Sequence, residues 1–419
     1  MQDQTFVVIT LGVLAFGLFS ARLTRSPITA PMVFVAFGLA VGPRMLGLAE
    51  LHLDDPAVQI LAELTLVLVL FTDAARIDFA VLRREYTLPL RLLLIGLPLT
   101  VLAGAVVGGL LLPSLGFWEV ALLAAVLAPT DAALGLSVVN NTRIPVRMRQ
   151  TLNVESGLND GIVLPLVLLF AACAGGGSGA YGPAFIGKQL VLGPITGVFV
   201  GLVGGRIIVW AERTNSMNHS FRQLSGLAQA LLAYAFAERI GGNGFIASFC
   251  AGLTMGNTAH SPCECLFDFA ETEGQLLSLL TFMLFGTLMV APAAHHWDWR
   301  VLVYTALSLT AIRMAPVAVS LVRARLRWPS VAFLGWFGPR GLASILFACI
   351  VVRQPGIPGR MVIFDTVVTT VLFSVLLHGL TAYPAALWYG RYADGFKHLP
   401  DAEEHAHMPE LPVRIPVRK

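Results

Sequence analysis

Long apolar stretches, rather than alternating apolar and polar positions, set the pattern of this chain. Runs of mostly apolar residues recur between short polar breaks, each close to the roughly 20 residues that carry a helix across the hydrocarbon core of a bilayer. Thirteen such windows fall near residues 5–22, 29–48, 57–75, 88–112, 118–140, 151–174, 184–210, 222–238, 243–258, 274–292, 301–322, 329–352 and 363–389. The pattern predicts an all-α polytopic membrane protein of about 13 transmembrane helices. One transmembrane domain would occupy 1–390, followed by a short tail over 391–419 that is polar, carries both charge signs and is expected to be disordered.

Two windows are interrupted near the middle, the fifth at Pro129 and the twelfth at Pro339. Proline removes a backbone donor and clashes with the preceding turn. At membrane depth such a break is tolerated only where the freed carbonyls face protein or a polar cavity. The two windows lie seven helices apart, and an odd shift reverses direction through the membrane. Helices 1–6 and 8–13 are therefore expected to be inverted repeats, with the interrupted helices crossing near the midplane. Matched interruptions of this kind mark the binding site of a transporter.

Composition sharpens the picture. Hydrophobic residues make up 56% and charged residues 13% of the chain, about half the charge of a soluble domain. Lipid must be the solvent. A net charge of +3 without a basic, aromatic-interleaved cluster excludes a nucleic-acid partner. Arginines concentrate in the loops after odd-numbered helices: Arg22 and Arg25; Arg76, Arg83 and Arg84; Arg143, Arg147 and Arg149; Arg213 and Arg222; Arg323, Arg325 and Arg327. Positive loops stay inside, so the N-terminus is expected outside and the C-terminus in the cytoplasm. Met1-Gln-Asp-Gln4 has no basic n-region, so the first window reads as a retained helix.

Several features read as structural. Cys173, Cys250 and Cys349 lie in apolar runs, and Cys263 and Cys265 lack a second pair to complete a zinc site. Gly175-Gly-Gly-Ser-Gly179 has no lysine and reads as a linker, not a phosphate loop. His295-His-Trp-Asp-Trp299 reads as an interfacial belt with tryptophans at headgroup depth.

Charge inside the spans is different, because an ionisable residue at mid-span costs at least ~2.5–3.5 kcal/mol. The deep acids are Glu63, Asp131, Glu155 and Asp160, with Asp73 nearer a helix end, and the deep bases are Arg313 and Arg340. Asp131 directly follows the break at Pro129-Thr130, where unwound carbonyls and helix ends can replace a cation's water. The sixth window opens with Glu155-Ser-Gly-Leu-Asn-Asp160, which puts Glu155 and Asn159 on one face. Three carboxylates on adjacent helices repel strongly unless a cation, a proton or an arginine intervenes. Arg313 lies too far from either end of its helix to snorkel and needs an acid, for which Glu155 is the candidate.

These pieces resemble the NhaP-type sodium/proton antiporters of the monovalent cation–proton antiporter family. They are Leu127-Ala-Pro-Thr-Asp131, Glu155-Ser-Gly-Leu-Asn-Asp160, Arg313, Gly338-Pro-Arg-Gly341 and, more loosely, Leu70-Phe-Thr-Asp73. The resemblance implies a homodimer in the inner membrane that exchanges a monovalent cation, Na+ foremost, for H+ by alternating access in pH homeostasis. It implies no cofactor and no enzyme activity; Na+ (or Li+ or K+) and H+ are cargo. It places Na+ at Asp160 and Asp131, assisted by Thr130, Ser156, Asn159 and Asp73, with Glu155 and Arg313 as a structural ion pair. Relatives with aspartate at the position of Asn159 tend to be electrogenic, so asparagine implies electroneutral exchange. The chain departs from the family at Ala132, commonly proline, and at Ala74-Ala-Arg76, often glycines. The alternatives are a K+/H+ exchanger, a cation channel or an intramembrane enzyme. No filter-like repeat supports the channel, and histidines confined mainly to loops and the tail argue against a deep serine–histidine pair.

Overall fold

The computed structural model describes residues 2–23, 27–49, 51–77, 79, 87–176, 183–258, 263–354, 356–397, 399 and 402–406. Among these residues every regular element is helical. The segments are α1 (Gln2–Leu23), α2 (Ala30–Val41), α3 (Pro56–Ala75), α4 (Thr87–Leu111, with a π turn at Leu92–Gly96) and the split α5. The first half of α5 is α5a (Phe117–Val126); its second half is a 3-10 turn (Ala132–Gly135) leading into Leu136–Val139. There follow α6 (Val146–Ala174), α7 (Pro183–Arg213), α8 (His219–Arg239), α9 (Gly244–Thr258) and α10 (Cys263–Leu284, continued through a π turn at Phe285–Val290 to Ala294). The last are α11 (Trp299–Leu309 and Ala311–Ser320, broken at Thr310), the split α12 (α12a, Trp328–Trp336; α12b, Leu342–Val352) and α13 (Arg360–Asp394).

Seven helices among the described residues are long and apolar enough to cross a membrane, namely α3, α4, α6, α7, α10, α11 and α13, and shorter apolar helices lie at Gln4–Ser20, Ala30–Val41, Phe117–Val126 and Leu342–Val352. The labels count helical segments and not crossings. The break in α11 at Thr310, three residues before Arg313, has no counterpart in the apolar pattern, which predicts one continuous span.

Large apolar side chains such as Leu18, Leu110, Trp210 and Trp328 stay exposed on the outside of the bundle. The inside is packed by Leu122, Val126, Val163, Val167, Leu346, Phe347 and Val367. Where helices must approach closely, small residues let them, as is usual in lipid. A Cβ on Gly252 or Gly256 of α9 would lie 2.1 Å from the Phe71 carbonyl oxygen or 2.0 Å from that of Ala75. α3 therefore lies directly on the backbone of α9, which fixes Asp73 beside α6.

The tail differs from its expected course. α13 continues past residue 391 to Asp394, and residues 402–406 are placed against the bundle, with Glu404 fully buried. Residues 407–419 lie outside the described residues, as do the side chains of Cys263 and Cys265 and most of the glycine-rich loop.

Candidate functional site

α5 and α12 break where they cross. α5a ends at Val126, and Pro129, which has no N–H, keeps the chain out of regular helix as far as Asp131. α12a ends at Trp336, before Gly338 and Pro339. Each break leaves helix ends with unsatisfied backbone groups, and at the crossing each helix satisfies the other's. The Asp131 N–H donates to the Pro339 carbonyl at 2.8 Å. The Asp131 carboxylate accepts the Leu342 N–H at 3.0 Å and the Ala133 N–H at 2.8 Å, so it sits at the positive start of two helical segments. The Arg340 guanidinium donates to the Ala128 carbonyl at 3.0 Å, at the negative end of α5a. Ser344 adds a hydrogen bond from its hydroxyl to the Val126 carbonyl at 2.7 Å.

Glycine is required on both sides of Arg340. A Cβ at Gly341 would fall 2.3 Å from the Asp131 Oδ2, and one at Gly338 would fall 2.4 Å from the Arg313 Nε. The two glycines thus bring the crossing within reach of two charged groups.

α6 runs beside this crossing and carries the rest of the site. Glu155 and Arg313 form a two-pronged ion pair, with Nη1–Oε1 at 2.6 Å and Nη2–Oε2 at 2.8 Å. Each is 1% exposed. One turn along α6, the Asn159 Nδ2 donates to the Thr130 Oγ1 at 2.7 Å, and Ser156 and Thr130 share a hydrogen bond of 3.0 Å. Asp131 and Asp160 each follow one partner of the Asn159–Thr130 bond in sequence, and both are buried. Asp160 is 7% exposed and Asp131 6%. The Asn159 Oδ1 is buried and accepts no hydrogen bond from the described residues. Asp73 is buried on α3 against the Gly157 backbone, next to Ser156, with its Cβ 3.9 Å from where a Gly157 Cβ would lie.

Thr130, Asp131, Ser156, Asn159, Asp160 and Asp73 therefore gather around α6 and the α5 break, and Arg340 lies at the crossing itself. Glu63 does not join them. It is exposed on α3, 3.5 Å from the Tyr234 hydroxyl. The His295–Trp299 belt lies elsewhere too: the His296 Nδ1 is 3.1 Å from the Asp365 Oδ2, and Trp297 donates to Thr369. Among the described residues no group of three metal-ligating side chains forms.

One reading from sequence needs correcting. A deep serine–histidine pair does exist, at Ser374 and His378 on α13, where the Ser374 Oγ and the His378 Nδ1 are 3.3 Å apart. Its bonds are already committed to the α12 break. The His378 ring bridges two carbonyls, with Nε2 2.9 Å from that of Trp336 and Nδ1 3.1 Å from that of Ser374. The Ser374 Oγ then accepts the Arg340 N–H at 2.6 Å. The pair holds backbone. Two polar residues four apart in an apolar helix were the available signal. Glu119 was also missed, although a glutamate three residues after Gly116 at a helix start is a capping-box pattern. It accepts the Gly116 N–H at 2.7 Å and the Gly359 N–H at 2.6 Å.

Crossed interrupted helices with buried charges at the crossing define a class, the polytopic membrane protein built as an ion-coupled transporter. The family described as sodium/hydrogen exchanger, transmembrane, matches residues 7–388, and the chain belongs to that family. It is 25% identical over 395 residues to the K+/H+ antiporter NhaP of Alkalimonas amylolytica, covering 93% of this chain and 67% of that protein. It is 27% identical over 371 residues to a probable Na+/H+ antiporter of Schizosaccharomyces pombe, covering 78% of this chain and 48% of that one. The chain thus spans about half to two thirds of the length of these curated relatives. The sodium proton antiporter MjNhaP1 of Methanocaldococcus jannaschii, in its pH 8 structure, shares the fold with a TM-score of 0.73 at 19% identity, covering 93% of this chain and 98% of that one.

Proposed function

We propose that the protein exchanges a monovalent cation, Na+ foremost, for H+ across the inner membrane by alternating access, electroneutrally and as a homodimer. The observation that carries this reading is the division of labour on α6. Glu155 is clamped by Arg313 on both oxygens, so its charge is committed. Asp160 follows Asn159 on the same helix and is buried, and the linked Thr130, Ser156 and Asn159 side chains together with the Asp131 carboxylate supply the oxygens for a cation site that includes it. Oxygen donors suit hard cations such as Na+, Li+ or K+. The buried Asn159 Oδ1, with no donor among the described residues, is a further oxygen a cation would satisfy.

In this mechanism Asp160 holds either a proton or a cation. Asp131, held by the N–H groups of two helix starts, supplies the second carboxylate to the cation, and Asp73 approaches from α3. Arg340 holds the two broken helices in register, so that the pocket can open to one side or the other without exposing bare backbone. The arginine-rich loops support an N-terminus outside and a cytoplasmic C-terminus.

The test is fluorescence dequenching in sealed proteoliposomes, with each alkali cation across a pH series. Wild-type protein is expected to release protons on addition of its cation. Asp160→Asn is expected to abolish that release while the protein remains folded. Retained exchange in the variant at any pH would move the site away from Asp160.

A further inference from the structure

The segment that sequence reads as a disordered tail closes onto the bundle at the ends of three helices. Glu404 is fully buried, and its Oε1 accepts the Arg327 N–H and the Ser330 hydroxyl, each at 2.8 Å. The Tyr389 hydroxyl of α13 donates to the Ser330 Oγ at 2.9 Å. Glu403 pairs with Arg147, at the first turn of α6, at 2.6 Å. The Arg327 guanidinium covers the Phe396 ring at 4.2 Å, and His405 meets that ring edge-on and bonds the Ala393 carbonyl at 3.0 Å.

The two interrupted helices begin with the same device built in different ways. In α5a the residue before the helix is Gly116, and Glu119, at the third helical position, reaches back to the Gly116 N–H. This is the glutamate half of a capping box. In α12a the residue before the helix is Arg327, and the third position holds Ser330. Here the Arg327 N–H is met by a carboxylate 77 residues further along the chain, which also bonds the serine in the glutamate's place. The C-terminal segment thus supplies from a distance along the chain what the first helix encodes in itself. The same segment holds α6 through Arg147 and packs on the end of α13. Those three helices carry Glu155 and Asp160, Arg340, and the Ser374–His378 pair that holds the Arg340 N–H.

We propose that Glu404 is a positioning residue for the exchange reaction, and that residues 402–406 are part of the transport machinery. This rests on the exchange reading above. By capping α12a and tying it to α6, Glu404 fixes the register of the helix that presents Gly338 and Arg340 to the crossing. It touches no cargo and acts through Arg327 and Ser330.

The experiment compares full-length Glu404→Ala and Glu404→Gln with wild type in proteoliposomes and by hydrogen exchange of backbone amides. Loss of the cap in Glu404→Ala is expected to speed amide exchange over 328–341, weaken apparent cation affinity about tenfold and displace the pH midpoint of transport. Glu404→Gln keeps an acceptor oxygen and is expected to show the same changes at about threefold. Wild-type affinity and pH midpoint in folded Glu404→Ala would overturn the proposal even if thermal stability fell, because the segment would then be a structural clamp only. Should Glu404→Ala fail to fold, wild-type transport behaviour in Glu404→Gln overturns it instead. Wild-type vesicles that move no protons on cation addition would overturn the exchange reading. The amide-exchange arm is independent of transport and decides whether Glu404 holds α12a.

Discussion

α5 and α12 both break at a proline and cross at the break, but they close it with opposite charges. α5 contributes Asp131, a carboxylate that sits at the starts of α12b and of its own continuation. α12 contributes Arg340, a guanidinium that sits at the end of α5a. Helix starts favour negative groups and helix ends positive ones, so each charge mainly stabilises the partner's broken ends. Neither helix is complete alone. The crossing is a shared object, and its stability and the geometry of the ion pocket are set together. The difference also assigns roles. The arginine serves backbone and register, through Nη1 on the Ala128 carbonyl, while the aspartate belongs to the helix that carries Thr130.

The strongest way to break this comparison is to remove one charge at a time. Arg340→Ala strips the Ala128 carbonyl of its donor, and Asp131→Ala strips the Leu342 and Ala133 N–H groups of their acceptor. Leaving a buried backbone group without its partner costs roughly 1–3 kcal/mol. Each single variant is expected to lower thermal stability in detergent sharply and to stop exchange. The double variant is expected to be milder than the sum, because the crossing that both residues hold is lost only once. Strictly additive losses in a thermal-unfolding cycle would show that the two charges do not share the crossing.

A smaller perturbation sharpens the comparison by shifting the charges without deleting them. Gly341→Ala places a methyl group against the Asp131 carboxylate, and Gly338→Ala places one against the Arg313 guanidinium. Overpacking of this kind costs about 1–3 kcal/mol. Displacing Asp131 is expected to weaken apparent cation affinity. Displacing Arg313 is expected to lower stability with less effect on affinity, since Arg313 serves Glu155 and not the cargo. Unfolding midpoints and vesicle titrations on the two variants check this. Equal affinity losses in both would mean that the Glu155–Arg313 pair is part of the cargo site.

How much of this was legible beforehand depends on which residues are concerned. Membrane helices and the two breaks could be read because apolar length and proline are local signals. Asp131, Asp160, Glu155, Arg313 and Arg340 stood out because charge at membrane depth needs a reason. Glu63 satisfied the same criterion and lies on the exposed face of α3, because depth along a helix does not reveal which face a residue occupies. Ser374 and His378 were passed over because neither carries a permanent charge. Their role emerges only when the orphaned Trp336 carbonyl and Arg340 N–H appear beside them. The cap from Glu404 was hidden for a different reason. Its partners are 74 and 77 residues away, and a polar terminal segment has no periodicity to announce where it docks.

The finest test concerns an effect expected to be zero. If Asp131 stays bound to the Leu342 and Ala133 N–H groups, Glu155 stays clamped by Arg313 and Asp73 takes no part, none of these three acids carries a proton. Asn159 has no charge to exchange. Asp160 is then the one group of the pocket that trades a proton for a cation, and one positive charge moves each way per cycle. Such a cycle transfers no net charge, whereas moving one unpaired charge through 100 mV is worth about 2.3 kcal/mol, enough to bias a transport equilibrium strongly. The measurement is an initial exchange rate and a final pH gradient in vesicles, with a potassium-diffusion potential imposed by valinomycin while sodium and pH gradients are fixed. Both readouts are expected to be the same at every imposed voltage. A systematic shift with voltage would mean that a second proton is carried, with Asp131 or Asp73 as its bearer. The contrast between a committed Arg340–Asp131 crossing and an exchanging Asp160 would then have to be redrawn, because the crossing would itself take part in the proton cycle.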